Sequence, residues 1–243
     1  MGLPSLRDGL RAGGAPLMWE RVIGAVLPTI KSLLPPGSSV LEVGYGDGLL
    51  TCWLAHELGW SIAGLDIEDA TCREATRHAE RFGLASRVAF MLVEPEQTWS
   101  HEGSYDGVFI KTVLYGSGDP DEYARRLDWV AGVLKPGGIF INFETGRANS
   151  FTQAYRRIRR REYTDLCLYT RAIERLYDER FEIIERRYYG GLSQFLAPVP
   201  GLYELGATME RALARRSADN CFVVSFVGRP KHHEARDAGE RTR

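Results

Sequence analysis

An α/β fold on a mostly parallel sheet is the architecture predicted by three observations in this sequence. From Val40, two β-formers lead into the acid Glu42, glycines stand at 44, 46 and 48, and an apolar stretch begins at Leu49. Such a segment reads as a parallel strand closing in a tight turn that opens a helix. Strand-like and helix-like segments then alternate to about residue 145, the order of βαβ units. The chain has 243 residues, enough for one α/β domain with a full core.

The elements follow in order. Residues 1–16, rich in Gly, Pro and Arg, read as a loose arm. Leu17, Val22, Ile23, Val26, Leu27, Ile30, Leu33 and Leu34 carry helical spacing, which Pro35-Pro36-Gly37 ends. The first strand leads into the glycine turn, and Trp60–Ile67 reads as the second strand, ending in Asp66. A helix over 69–83 is capped by Gly83. Arg87–Glu94 and Tyr105–Ile110 read as strands three and four, Asp121–Val133 as a helix, and Val133–Phe143 as strand five. Phe181–Glu185 and Cys221–Val227 are the last strands, and 231–243 is a charged tail expected to be disordered. The boundaries predict a single domain over 1–230, with 1–34 as amino-terminal arm and helix.

Two kinds of cofactor compete for the glycine turn. The dinucleotide fingerprint needs a third glycine where this chain has Leu49, and Glu42 would repel a pyrophosphate. The pattern acid-x-G-x-G-x-G resembles motif I of the class I S-adenosylmethionine-dependent methyltransferases, whose cofactor carries an ammonium and a sulfonium. Asp66, about twenty residues further on, stands where a carboxylate takes both ribose hydroxyls. Glu94-Pro95 falls where the family approaches the adenine amino group, with Glu in place of the more usual Asp. Tyr105-Asp106-Gly107-Val108 resembles the family's "fDxV" signature, and Leu134-Lys135-Pro136-Gly137-Gly138 its "LKPGG" turn. The resemblance covers roughly residues 36 to 145 and extends more loosely to Pro230.

The resemblance implies a Rossmann-like, seven-stranded, mostly parallel sheet with an antiparallel last strand and helices on both faces. It also implies lid insertions after strands five and six, at 146–178 and 188–217, roofing an acceptor pocket. The implied cofactor is S-adenosyl-L-methionine, held by Glu42, Gly44, Tyr45, Gly46, Gly48, Asp66, Ile67, Glu94, Pro95, Lys111 and Thr112. Methyl transfer is an in-line displacement, so orientation supplies much of the acceleration. An oxygen or protonated-amine acceptor also needs a base. Lys111, Tyr115, Asp119, Glu144 and His101 lie near the exits of strands four and five, and Tyr115 and Glu144 are the catalytic candidates. Lys111 would need strong desolvation to act as a base. Tyr115 packed as a structural residue beneath the lid is the alternative.

Other features bound the partners. A formal net charge of −1 gives no pull toward nucleic acid, and no [DNS]-P-P-[YFW] motif follows strand four. Cys52, Cys72, Cys167 and Cys221 lack metal-ligand spacing and none follows a proline, so no metal site and no base-C5 chemistry is expected. A cytoplasmic location and no membrane span are expected. Five arginines within Arg156–Arg161 suit an anionic acceptor or the solvated face of a lid helix. The apolar stretch 190–203 suits a hydrophobic acceptor, a homodimer contact or core packing. The expected function is methylation of an oxygen or nitrogen of a small-molecule acceptor. The alternatives are a non-catalytic S-adenosylmethionine-binding or partner-binding module, an aminopropyl transferase and an NAD-dependent oxidoreductase.

Overall fold

The computed structural model describes residues 3, 5–10, 16–93, 102–114, 118–146, 168–189, 199–214, 221 and 223–231. Two helices, α1 (Leu6–Gly9) and α2 (Pro16–Leu33), precede β1 (Ser39–Val43), α3 (Leu49–Leu58), β2 (Ser61–Asp66), α4 (Asp69–Arg81) and β3 (Val88–Leu92). Then come β4 (Tyr105–Lys111), α5 (Pro120–Val133), β5 (Leu134–Thr145), α6 (Thr170–Arg180), β6 (Phe181–Tyr189), α7 (Pro200–Ala214) and β7 (Val223–Pro230). The seven strands form one sheet in the order β3-β2-β1-β4-β5-β7-β6. The first five run parallel, whereas β7 pairs antiparallel with both β5 and β6.

The two-residue period of a strand divides the core into two layers. On one face Val40, Phe109, Ile141 and Phe143 meet Trp19, Val22, Ile23, Val26 and Leu54 from α2 and α3. On the other, Leu41, Val108, Ile110 and Phe140 meet Tyr123 and Leu127 of α5 and Ile173 and Tyr177 of α6. A sheet covered on both faces needs strands apolar on both sides, which is why β1 and β4 read as near-continuous hydrophobic runs. Local signals set the helix ends: Asp119 caps α5 by accepting the Asp121 N–H, with Pro120 in the first turn.

The two family-like motifs around residues 105 and 135 meet at the amino end of the sheet, away from the glycine turn. Lys135 Nζ donates to Asp106 Oδ1 at 2.7 Å, and the Ser39 N–H donates to Asp106 Oδ2 at 2.8 Å. Burial works against the charge on Asp106, but these two donors hold its carboxyl below the ordinary value. The clasp ties the starts of β1, β4 and β5 together beside a cleft of about 450 Å³ lined by Pro36, Asp106, Lys135 and Gly137. Its residues brace the sheet.

Several expected boundaries shift. Residues 170–178, expected within an insertion, belong to α6, whose buried Ile173 and Tyr177 make it a layer helix. Strand β6 runs on to Tyr189, and β7 runs on to Pro230. The Arg156–Arg161 run and the 190–198 part of the apolar stretch lie outside the described residues. Among those described, no helix is long and apolar enough to cross a membrane. Nor do His, Cys, Asp and Glu side chains there gather into a group that could hold a metal ion.

Candidate functional site

The candidate site stands at the carboxyl ends of β1, β2 and β4, where parallel α/β sheets bind ligands. Gly44, Gly46 and Gly48 all take positive φ, at 77°, 56° and 73°, so the chain curls through three left-handed residues within five positions. They differ in what surrounds them. A Cβ on Gly44 would run into Val113 Cγ2, and one on Gly48 would lie 2.5 Å from Ala75 Cβ and 2.7 Å from Phe90 Cζ. A Cβ on Gly46 would meet nothing within 4 Å. Two of the glycines thus serve close packing, and the middle one faces open space.

Asp66 holds the turn in this shape. Its Oδ2 accepts the Gly46 N–H at 2.9 Å, and its Oδ1 accepts the Ile67 N–H at 2.7 Å. The Gly44 N–H donates to Leu65 O at 2.7 Å, so β2 and the turn are joined at two points. Beside Asp66, the apolar side chain of Ile67 is 65% exposed among the described residues.

Beneath the turn, Glu42 is buried in the middle of the sheet at 2% exposure. Its Oε2 makes no hydrogen bond among the described residues. Burial pushes its carboxyl up to about 7, against the pull of the Thr51 hydroxyl and the Lys111 ammonium. Lys111 ends β4 on the same face, and its Nζ lies 5.1 Å from the centroid of the Trp19 ring on α2. Burial holds Lys111 below its ordinary value, with Glu42, Glu144 and Asp47 acting the other way. Trp19 carried no signal in the sequence beyond its place in an apolar helix, yet it walls the site. Asp47 was also missed; its Oδ1 accepts the Leu49 N–H at 3.1 Å and starts α3.

Most of the expected cofactor residues converge here: Glu42, Gly44, Gly46, Gly48, Asp66, Ile67, Lys111 and Thr112 lie at adjoining strand ends. Tyr45 joins them only through its backbone. Its ring is 3% exposed and packs at 4.6 Å from the Phe90 ring, over Gly64. Glu144, at the end of β5, is fully buried, and its carboxyl accepts the N–H groups of Thr145 and Leu114. Asp119 is the cap of α5. Tyr115, His101, Glu94 and Pro95 lie outside the described residues.

The residues present suit a ligand with an adenosine end and a cationic end. An orphaned buried carboxyl oxygen calls for a donor, and the open space over Gly46 admits a chain against the backbone. Asp66 and Ile67 supply an acceptor and an apolar face side by side.

Residues 40–138 match the family model of the methyltransferase domain. A sterol 24-C-methyltransferase of Pneumocystis carinii is 27% identical over 118 residues, covering 48% of this chain and 30% of that protein. A ribosomal protein L11 methyltransferase of Pelotomaculum thermopropionicum is 30% identical over 115 residues, 47% of this chain and 35% of that protein. The matched part thus spans about a third of the length of these relatives. Among solved structures, geranyl diphosphate C-methyltransferase of Streptomyces coelicolor, in complex with S-adenosyl-L-homocysteine, aligns with a TM-score of 0.61 at 14% identity. That alignment covers 89% of this chain and 83% of the other, and it speaks to the fold. The names of the two relatives differ in acceptor, a sterol in one and a ribosomal protein in the other.

Proposed function

We propose that this chain, whose residues 40–138 match the family model of the methyltransferase domain, is a class I S-adenosylmethionine-dependent methyltransferase that binds its cofactor over the glycine turn and methylates a small molecule. The acceptor atom in this reading is an oxygen or a nitrogen. The observation that carries the cofactor assignment is the buried Glu42 carboxyl, with one oxygen unpartnered beneath an open glycine turn. When bound, S-adenosylmethionine supplies a methyl group already activated by its sulfonium.

The chain's own residues bind, orient and exclude water. Glu42 would face the ammonium of the cofactor, which would favour its ionised form. Asp66 offers its carboxylate to the ribose hydroxyls while keeping the Gly46 N–H. Ile67 would offer its apolar side chain to the adenine, and Trp19 with Lys111 would close the side toward α2. Tyr115, Glu94 and Pro95 are assigned by their place in the family pattern, Tyr115 facing the acceptor and the other two the adenine. A formal net charge of −1 supports a small acceptor over nucleic acid. The free thiols Cys52, Cys72 and Cys221 suit a reducing cytoplasm. A carbon acceptor is the second reading, favoured by the two C-methyltransferases among the relatives.

Calorimetric titration with S-adenosylmethionine, S-adenosylhomocysteine and NAD tests the cofactor. The first two are expected to bind one per chain and NAD not at all; NAD binding without a response to either of the others would sink the proposal. Mass spectrometry over an acceptor panel then separates enzyme from module, since tight cofactor binding with no methylated product would favour the module. Asp66→Ala is expected to weaken S-adenosylmethionine by about 10–100-fold, roughly 1–3 kcal/mol. Unchanged affinity would show that the ribose does not lie against Asp66.

A further inference from the structure

Strand β4 leaves the sheet abruptly. Its ladder to β5 continues to the Thr112 N–H, which donates to Phe143 O at 2.8 Å. Thr112 then takes φ 55°, the one left-handed non-glycine among the described residues. The chain turns back toward the core, where Leu114 is 4% exposed. The Leu114 amide is now beyond reach of the ladder and buried. Its partner is a side chain thirty residues away, Glu144 Oε2 at 3.2 Å. Between the two ends of this turn, Val113 reaches over Gly44, filling the space a Cβ would need there.

We infer that Glu144 is a positioning residue: from β5 its carboxyl anchors the turn by which β4 leaves the sheet, and so sets Val113 on Gly44. The inference rests on the reading that the cofactor lies over Gly44–Gly48. It assigns Glu144 a different part from that of general base. Both carboxyl oxygens accept backbone N–H groups, from Thr145 at 2.9 Å and from Leu114, and the side chain is closed off from solvent. The surrounding polar groups belong to the core. Asn142 shares its face of β5 and donates to the Tyr177 hydroxyl of α6, Tyr123 approaches from α5, and Lys111 is the nearby cation. Burial pushes the Glu144 carboxyl up to about 8, against the donors of Thr145, Asn142, Leu114 and Tyr123. A carboxamide keeps the shape of the carboxyl but only one acceptor oxygen, which can hold the Leu114 N–H while its NH2 replaces the oxygen that took the Thr145 N–H.

Glutamine can therefore keep the Leu114 anchor, and alanine removes it. Full-length Glu144→Gln is expected to keep S-adenosylmethionine affinity within about threefold of the parent, and to keep the Leu114 amide protected from hydrogen exchange. Glu144→Ala is expected to lose at least tenfold in affinity, with Leu114 exchange accelerated a hundredfold or more. Should the alanine variant fail to fold, Val113→Ala carries the test: affinity falls several-fold while Leu114 stays protected. Loss of binding in Glu144→Gln equal to that in Glu144→Ala would overturn the inference, as would a Leu114 amide unprotected in the parent. A parent chain that bound no S-adenosylmethionine, but whose Leu114 exchange still answered to Glu144→Ala, would uphold the anchor and reject only the cofactor reading.

Discussion

Gly46→Val is expected to reduce S-adenosylmethionine binding a hundredfold or more while the chain stays folded. The reason is the asymmetry within the turn. A Cβ at position 46 meets no protein atom within 4 Å, so its branches project into the space assigned to the cofactor. The folded state bears only the left-handed strain at φ 56°, about 1–2 kcal/mol for a residue with a Cβ. At roughly 2–4 °C per kcal/mol, that lowers the melting temperature by several degrees. Gly48→Ala should behave in the opposite way. Its Cβ would lie 2.9 Å from the Ala75 backbone and 2.7 Å from Phe90, where neither can move freely, so α3, α4 and β3 are forced apart. Thermal melts paired with ligand titration check both variants. Equal loss of stability in the two would mean that Gly46 is packed as tightly as Gly48.

Raising the pH from about 5 to 8 is expected to destabilise the protein, and Glu42→Gln to remove the smaller part of that decline. The folded chain holds the carboxyls of Glu42 and Glu144 at about 7 and about 8, both raised chiefly by burial from an ordinary value of 4.5. Between 4.5 and those values the folded state binds protons that the unfolded state has released. Stability from these groups is therefore fully present below 4.5 and falls as pH rises through the window. For Glu42 alone the shift corresponds to something on the order of 3 kcal/mol. Lys111, held below its ordinary value, acts in the opposite sense at higher pH, so the decline is best read below pH 8. Urea denaturation at pH 5, 6.5 and 8 measures it. A flat profile, or one that Glu42→Gln leaves unchanged, would show that the Glu42 carboxyl is ionised throughout.

The parts of the site written in adjacent residues were legible in the sequence. A strand, an acid and alternate glycines lie within nine positions, and the backbone geometry that they dictate is local. The acid at the end of β2 was legible for the same reason, since strand length sets its distance from the turn. Contacts that depend on how distant strands meet were not. Glu144 looked like a base because it sits at a strand exit, and only the fold brings the Leu114 amide to it. The packing of the Tyr45 ring was not legible either, since it fills the space left by Gly64 on the neighbouring strand. The extension of β6 past Glu185 was hidden by Arg186 and Arg187. Charged residues suit β6 because it is the edge strand of the sheet.

Trp19 against Lys111 bears on what can be cut from this chain. The stretch that matches the family model begins at residue 40, but the wall of the site begins on a helix that starts at Pro16. On the far side, Glu144 and the strands β6 and β7 lie past residue 138, where the match stops. A fragment trimmed to the recognisable stretch would keep every glycine of the turn and lose both of its supports. The smallest piece able to hold a ligand is thus larger than the piece that kinship reveals.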